Sequence, residues 1–224
     1  MIHLQGASKT YETPAGSFPA LHAIDLEIAA GELVEISGRS GSGKSTLLNI
    51  ISGIDRATGG EVVVAGTAVH GAAERTLARW RGATVGVVFQ FFQLLPTLTA
   101  LENVTLPMDF AGTWPVRARR ERAVGLLARV GLADQGHKFP SELSGGEQQR
   151  VAIARSLAND PPIVTADEPT GNLDSETAAA VLDLFVSLAA GGTTVVIATH
   201  DRDISRLASR TITLQDGRIV GGAA

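Results

Sequence analysis

The 224-residue chain has no cysteine. Disulfide staples are therefore excluded, and the absence fits a reducing compartment. Basic residues are not in excess: 19 Lys and Arg stand against 23 Asp and Glu, a formal net charge of −4. That balance argues against a nucleic-acid binder driven by bulk charge, so no nucleic-acid partner is expected. One dense basic cluster exists, "VRARRER" from Val116 to Arg122. Because Glu121 interrupts it, it is expected to form a solvated helix face. Long hydrophobic runs are missing too. Stretches such as "VGVVF" and "TTVVIAT" have strand length, far short of the roughly 18 apolar residues of a membrane span. The opening "MIHLQGASKTYE" lacks the basic and apolar regions of a signal peptide, so none is expected. No repeat or low-complexity tract is found.

What the chain does contain is 44% hydrophobic residues, enough to bury the core of one large domain. Short β-branched runs at 33–37, 85–89, 162–167, 193–198 and 211–215 alternate with helical spacing at 44–54, 146–159 and 175–190. Such alternation predicts an α/β fold around a largely parallel sheet. The strand-rich first part, with "HAIDLEI" (22–28) and "EVVVAG" (61–66), suggests a small antiparallel β lobe. Residues from about 92 to 158 read as mostly helical and separate two strands of the main sheet. The expectation is one domain over 1–224, its core and β lobe formed by about 1–91 and 159–224, with a helical lobe inserted at about 92–158.

The strongest local signal is "GRSGSGKST", residues 38–46, lying between an apolar strand and a helix as a P-loop requires. Gly38, Gly41 and Gly43 let the backbone curl around phosphate oxygens, with Ser40, Ser42 and Thr46 in the same turn. The helix N-terminus adds its partial positive charge. Lys44 has the reach for β- and γ-phosphates, and the Ser45 hydroxyl is a ligand for Mg²⁺. A second signal, "PIVTADEP", ends an apolar strand in two acids, which then face the ligand crevice of an α/β sheet. Asp167 is the candidate Mg²⁺ ligand. Glu168 is placed to polarise a water attacking the γ-phosphate. These residues together predict nucleoside-triphosphate hydrolysis.

A third stretch, "LSGGEQQR" (143–150), narrows the class, because Ser144, Gly145 and Gly146 open another helix whose first turn can bind an anion. With "LSGGEQQR" followed by "ADEPTGNLD", the chain resembles the ATP-binding subunits of ABC transporters from about Tyr11 to Gly221. The resemblance implies a P-loop NTPase (RecA-like) core with ATP and Mg²⁺ as ligands, and it assigns further roles. Tyr11 matches the aromatic that stacks on adenine, an exposed edge-strand tyrosine being the plainer reading. Gln90 matches the glutamine that touches Mg²⁺ and the attacking water. Asp174, with Asn172 in the same turn, matches a loop that communicates across a dimer; a helix N-cap is the competing or coexisting role. His200, followed by Asp201, matches the switch histidine on the γ-phosphate. The resemblance implies that the γ-phosphate on one subunit's P-loop is held by the other's serine and glycines, so the partner is a second copy of the chain. One departure is Glu147, where the family most often has Gln; it puts rate or regulation in question rather than nucleotide binding. Polar Thr165 in the acidic strand is another.

"VFQFFQLLPTLTALENVTLP" (88–107) looks most like the subgroup of lipoprotein release, macrolide or peptide export, and cell-division signalling. That subgroup implies a separate integral-membrane permease with an extracytoplasmic domain. The cassette would then sit in the cytoplasm, peripheral on the inner face of the membrane. Within this stretch "FFQLLP" reads either as a docking groove for a permease helix or as simple core. A soluble ABC-type ATPase acting on DNA or ribosomes is the rival reading; it lacks support because the chain carries neither a long coiled-coil insertion nor tandem cassettes. A P-loop kinase or GTPase would not need "LSGG".

Overall fold

The computed structural model describes residues 1–14, 16–171, 173–200 and 202–223. Ten strands and seven α-helices form among them. The first two strands, β1 (Ile2–Thr13) and β2 (Gly16–Ile28), pair as a long antiparallel hairpin. They join β4 (Gly59–Val64) and the short β5 (Thr67–Ala68) in a four-stranded sheet of order β2-β1-β4-β5.

A second sheet holds six strands in the order β10-β9-β3-β8-β7-β6. These are β3 (Leu33–Ser37), β6 (Val85–Val88), β7 (Ile163–Asp167), β8 (Thr194–Ala198), β9 (Arg210–Gln215) and β10 (Arg218–Ala223). All pairings from β6 to β9 are parallel, and β10 closes the edge antiparallel to β9. Alternating side chains divide this sheet between two cores. Leu33, Val164, Val195 and Ile197 point to one core. Val34, Ile36, Ile163 and Val196 point to the other. Burial on both faces explains why these strands read as unbroken apolar runs. Glu35 interrupts one of them, yet its buried carboxylate accepts hydrogen bonds from the hydroxyls of Ser205 (3.0 Å) and Thr211 (2.7 Å).

Helix α1 (Lys44–Ile51) follows β3, and its buried Leu47, Leu48, Ile50 and Ile51 join the core shared with the four-stranded sheet. It stops before residue 54 because Gly53 turns to φ +66°, a left-handed ending that glycine adopts without penalty. Helix α2 (Glu74–Thr84) leads into β6. Between β6 and β7 come α3 (Ala100–Ala111), α4 (Val116–Arg129) and α5 (Gly145–Ser156), which pack on one another and on the first core. Helix α6 (Ser175–Ala190) occupies the predicted span, and α7 (Arg202–Leu207) leads towards β9.

The basic run departs from expectation. Arg117 and Arg120 are exposed, but Arg119 bonds the Trp114 carbonyl (2.9 Å) and Asp109 (2.6 Å). Arg122 lies 4.3 Å over the Trp114 ring and donates to the carbonyls of Leu157 and Ala158 and to Asp160. Half of the cluster thus fastens α4 to the chain just beyond α5.

Candidate functional site

At the carboxyl end of β3 the chain turns through Gly38–Gly43 into α1. A Cβ at Gly38 would come within 2.4 Å of the Leu214 carbonyl oxygen, and one at Gly43 within 2.8 Å of the Ala20 oxygen. Both glycines also take positive φ, +150° and +103°. The loop therefore sits against β9 and β2 as closely as backbone allows, and only glycine fits. Gly43 caps α1 with no side-chain hydrogen bond, and the first turn of α1 holds no acidic residue. Its leading N–H groups are thus left for an anion. Lys44 arches over the loop, its ammonium donating to the carbonyls of Gly38 (2.8 Å) and Arg39 (3.2 Å).

This loop floors a cavity of about 600 Å³. Tyr11, Gln90, Asp167, Glu168 and His200 reach it from four different strands or strand ends, Asp167 and Glu168 both from β7. Ser40, Gly41, Ser45 and Thr46 line it as well. Ser42 does not; its buried hydroxyl faces Gly38, and the residue lines a smaller cavity on the other side of the loop.

Asp167 ends β7 beside the P-loop and lines the same cavity as Ser45. Burial, helped by the charge of Glu168, pushes Asp167 above the usual carboxylate range, against the pull of the Ser45 hydroxyl and Lys44. Glu168 adopts φ +46°, a left-handed backbone that costs a non-glycine residue of order 1–3 kcal/mol and collects at functional sites. Its N–H is held by the Ala198 carbonyl at 2.8 Å. Its carboxylate accepts from the Thr199 hydroxyl (3.0 Å) and meets His200 Nδ1 at 2.9 Å. When the carboxylate is ionised it only accepts, and Nδ1 then carries the proton of this pair. The Glu168 side chain is 12% exposed and that of His200 78%. The acid is therefore held inside while the imidazole stands at the rim.

Thr199 escaped the sequence reading, although a threonine directly before His200 at a strand end was its available signal. Phe18 also lines the cavity; nothing in the hairpin sequence distinguishes it from a surface residue. Asn172 and Asp201 lie outside the described residues.

Ser144, Gly145, Gly146 and Asp174 are not among the described residues that line this cavity. Ser144 caps α5, accepting from the Glu147 N–H at 3.3 Å, while the Glu147 carboxylate takes the Ser144 N–H and hydroxyl, each at 2.8 Å. These bonds hold Glu147 below the usual carboxylate range. The first turn of α5 lies between Phe92, 3.9 Å from a Cβ built on Gly145, and Leu173, 3.6 Å from one built on Gly146. Asp174 is indeed a helix N-cap, accepting from the Thr177 N–H (2.9 Å) and hydroxyl (2.7 Å) at the start of α6.

The family model for the ABC transporter matches residues 21–171. The chain belongs to the ABC transporter family. Among its relatives, the lipoprotein-releasing system ATP-binding protein LolD of Aquifex aeolicus is 48% identical over 204 residues, 91% of each chain. An ABC transporter ATP-binding protein of Bacillus subtilis, YknY, is 46% identical over 98% of this chain and 95% of its own. The macrolide export ATP-binding/permease protein MacB of Nitrosomonas europaea shares 46% identity over 98% of this chain, which spans only 33% of that longer protein. Among solved structures, the dimeric post-hydrolysis state of the cassette MJ0796, bound to ADP and Pi, superposes with a TM-score of 0.95. It is 43% identical and covers all of this chain. The cassette is thus an ATP-binding subunit of an ABC transporter with a P-loop NTPase fold. Among the described residues no helix is long and apolar enough to cross a membrane.

Proposed function

We propose that the cassette hydrolyses ATP in a two-fold dimer and so drives a separate integral-membrane permease with an extracytoplasmic domain. The observation that carries this reading is the left-handed Glu168, its carboxylate held by Thr199 and His200 at the edge of the P-loop cavity. In the proposed reaction Tyr11 stacks on adenine, and the backbone of 38–43, with Lys44 and Thr46, holds the phosphates. Glu168 takes a proton from the water that attacks the γ-phosphorus, the bond to the β-phosphate breaks, and ADP and phosphate leave. Gln90 orients that water, and His200, tethered through Nδ1, presents its other ring nitrogen to the γ-phosphate. Ser42 serves by shaping the loop.

The donor set suits Mg²⁺, a hard cation that keeps several waters and shares phosphate oxygens. Ser45 and Gln90 supply a hydroxyl and an amide, and Asp167 supplies a half-buried carboxylate whose charge is otherwise disfavoured. Bound there, Mg²⁺ would neutralise charge on the β- and γ-phosphates.

The absence of Ser144, Gly145 and Gly146 from the described lining of the P-loop cavity supports the dimer. Ser144, Gly145 and Gly146 complete the P-loop site of the partner subunit, and Asp174 lies beside them where the subunits communicate. The lobes divide this work: about 1–91 and 159–224 hold the nucleotide, and 92–158 carries the second grip.

A groove of about 830 Å³ between β6 and α3 supports the permease reading. Val85, Val87, Leu106 and Phe110 give it an apolar wall, and Phe110 is 83% exposed. An amphipathic permease helix fits such a groove. The stretch "FFQLLP" is split by the fold: Gln93 lines the groove, Leu94 packs partly buried against the core, and Phe91 is 71% exposed. Lipoprotein release, macrolide or peptide export, and transmembrane signalling are the work proposed, from the inner face of the membrane. Glu168→Gln tests the chemistry: ATP binding persists while turnover falls by about 10²–10⁴-fold. Hydrolysis at the wild-type rate in that variant would remove Glu168 from its role.

A further inference from the structure

Tyr11 and Phe18 stand directly opposite each other in the β1–β2 hairpin. Side chains in that relation share one face of the sheet, and both line the P-loop cavity. Phe18 is 58% exposed, an apolar ring for which the chain itself offers no cover. Tyr11 is held differently. Its hydroxyl donates to Asp55 at 2.8 Å, with Thr46 of the phosphate loop nearby in the same cavity. Asp55 also accepts from the Lys9 ammonium at 2.5 Å and from the Arg56 N–H at 2.7 Å. Lys9 is only 8% exposed, donates a further bond to the Arg56 carbonyl (2.9 Å), and lies 4.7 Å over the Tyr11 ring. One face of the tyrosine is therefore occupied by a fixed cation, leaving the other as its stacking face. Burial opposes the Asp55 charge, but the bonds from Lys9, Tyr11 and Arg56 and the Lys9 charge outweigh it, so its carboxyl stays below the usual range.

We propose that Phe18 is a second contact to the nucleobase, and that Lys9 and Asp55 are positioning residues that fix Tyr11 relative to the phosphate loop. This rests on the reading of the cavity as the nucleotide site. A flat purine would lie across two rings, covering the exposed phenylalanine while the Lys9 cation polarises the tyrosine from behind. The site would then recognise the base as well as the triphosphate. Asp55 thus sets the tyrosine from the segment that follows α1, leaving the phosphate loop itself untouched.

The test compares calorimetric binding of MgATP with that of magnesium tripolyphosphate, which has the phosphates but no base. Phe18→Ala, at an exposed site, is expected to weaken ATP by roughly 3- to 10-fold, the share of one aromatic stack, and to leave tripolyphosphate unchanged. Lys9→Met and Asp55→Asn should lower the ATP affinity with the same selectivity, and Lys9→Arg should restore most of it. Equal losses for both ligands, or unchanged ATP binding in Phe18→Ala, would overturn the proposal. So would Lys9 and Asp55 variants that lower only the melting temperature. If the wild-type chain binds tripolyphosphate as tightly as ATP, the base platform fails while the phosphate site stands. If it binds neither, the nucleotide-site reading itself fails.

Discussion

Helices α1 and α5 both begin at glycine-rich turns, yet their N-termini are finished in opposite ways. The α1 terminus has a left-handed glycine cap, no side-chain acceptor and no acid in its first turn. The α5 terminus is closed from within by Ser144 and Glu147, each satisfying the other's backbone N–H. The capping box is an ordinary stabilising device, but here it places a carboxylate where the proposed partner phosphate arrives. An uncapped terminus is preorganised for an outside anion; a capped one must share its donors or exchange its own anion for the incoming one. The difference separates a grip that always stands ready from one completed only when two subunits meet.

Glycine substitutions test this contrast most severely. Gly43→Ala forces a left-handed φ of +103° on an alanine and drives its Cβ to 2.8 Å from the Ala20 oxygen. Strain of about 1–3 kcal/mol lands on the loop itself, so ATP affinity should fall by at least about tenfold. Gly145→Ala meets only an ordinary contact at 3.9 Å and suits a helix better than glycine does. Its melting temperature should hold or rise and its ATP affinity as a monomer should persist, while ATP-driven dimerisation weakens. Calorimetry and sedimentation separate the two; equal loss of monomer binding in both would erase the distinction.

Complementation comes next. In a mixed dimer of Ser144→Ala with Glu168→Gln, a grip acting across the interface puts both defects in one site and spares the other. Mixing two impaired proteins should therefore recover turnover approaching that of one site per dimer. If each grip served its own chain, no site would be intact and mixing would restore nothing. Ser144→Ala alone should cost about 1 kcal/mol of stability through the lost cap, read from chemical denaturation.

Acidity should act on the two ends with opposite sign. Asp167 has a raised carboxyl, chiefly through burial. Its contribution to stability is present below the unfolded value and lost as pH rises through the folded one. Without Mg²⁺, Asp167→Asn should therefore melt above wild type at pH 7, and the gap should close in acid. Glu147 is lowered by its bonds to Ser144. Its contribution is present above the unfolded value and disappears as pH falls through the folded one, so Glu147→Gln should melt slightly below wild type at pH 7 and converge in acid. Thermal scans across the carboxylate range check both slopes.

Much of this contrast could be read from the sequence because its signals are local. The strand before Gly38, the helix after it, and the bounds of α6 follow from periodicity and flanking glycines. What was not legible depends on contacts between distant segments. Thr199 matters because β8 lies beside β7, which brings it to Glu168 from 31 residues away. Arg119 and Arg122 share a charge run with two exposed arginines, and only the place of Trp114 turns that pair inward. Phe18 alone resembles a surface residue; the register opposite Tyr11 gives it meaning. Glu147 departs from the family's usual Gln, but glutamate and glutamine both complete a capping box, so the fold tolerates either.

That equivalence makes Glu147→Gln the finest test of the comparison. The amide keeps a bond to the Ser144 N–H and so keeps the cap, while one negative charge leaves the proposed phosphate position. Charge near a helix N-terminus is worth about 0.3–1 kcal/mol, and Glu147 is partly exposed. The ATP concentration that drives half-dimerisation should therefore fall by roughly 2- to 5-fold, measured by sedimentation in a Glu168→Gln background so that ATP persists. Added salt should shrink the gain, since a charge in contact with solvent is screened. The opposite result, weaker dimerisation in the glutamine variant, would mean that orienting the Ser144 hydroxyl at 2.8 Å outweighs the repulsion. The carboxylate would then be an aid to the second grip, and the two helix ends would differ in construction but not in readiness.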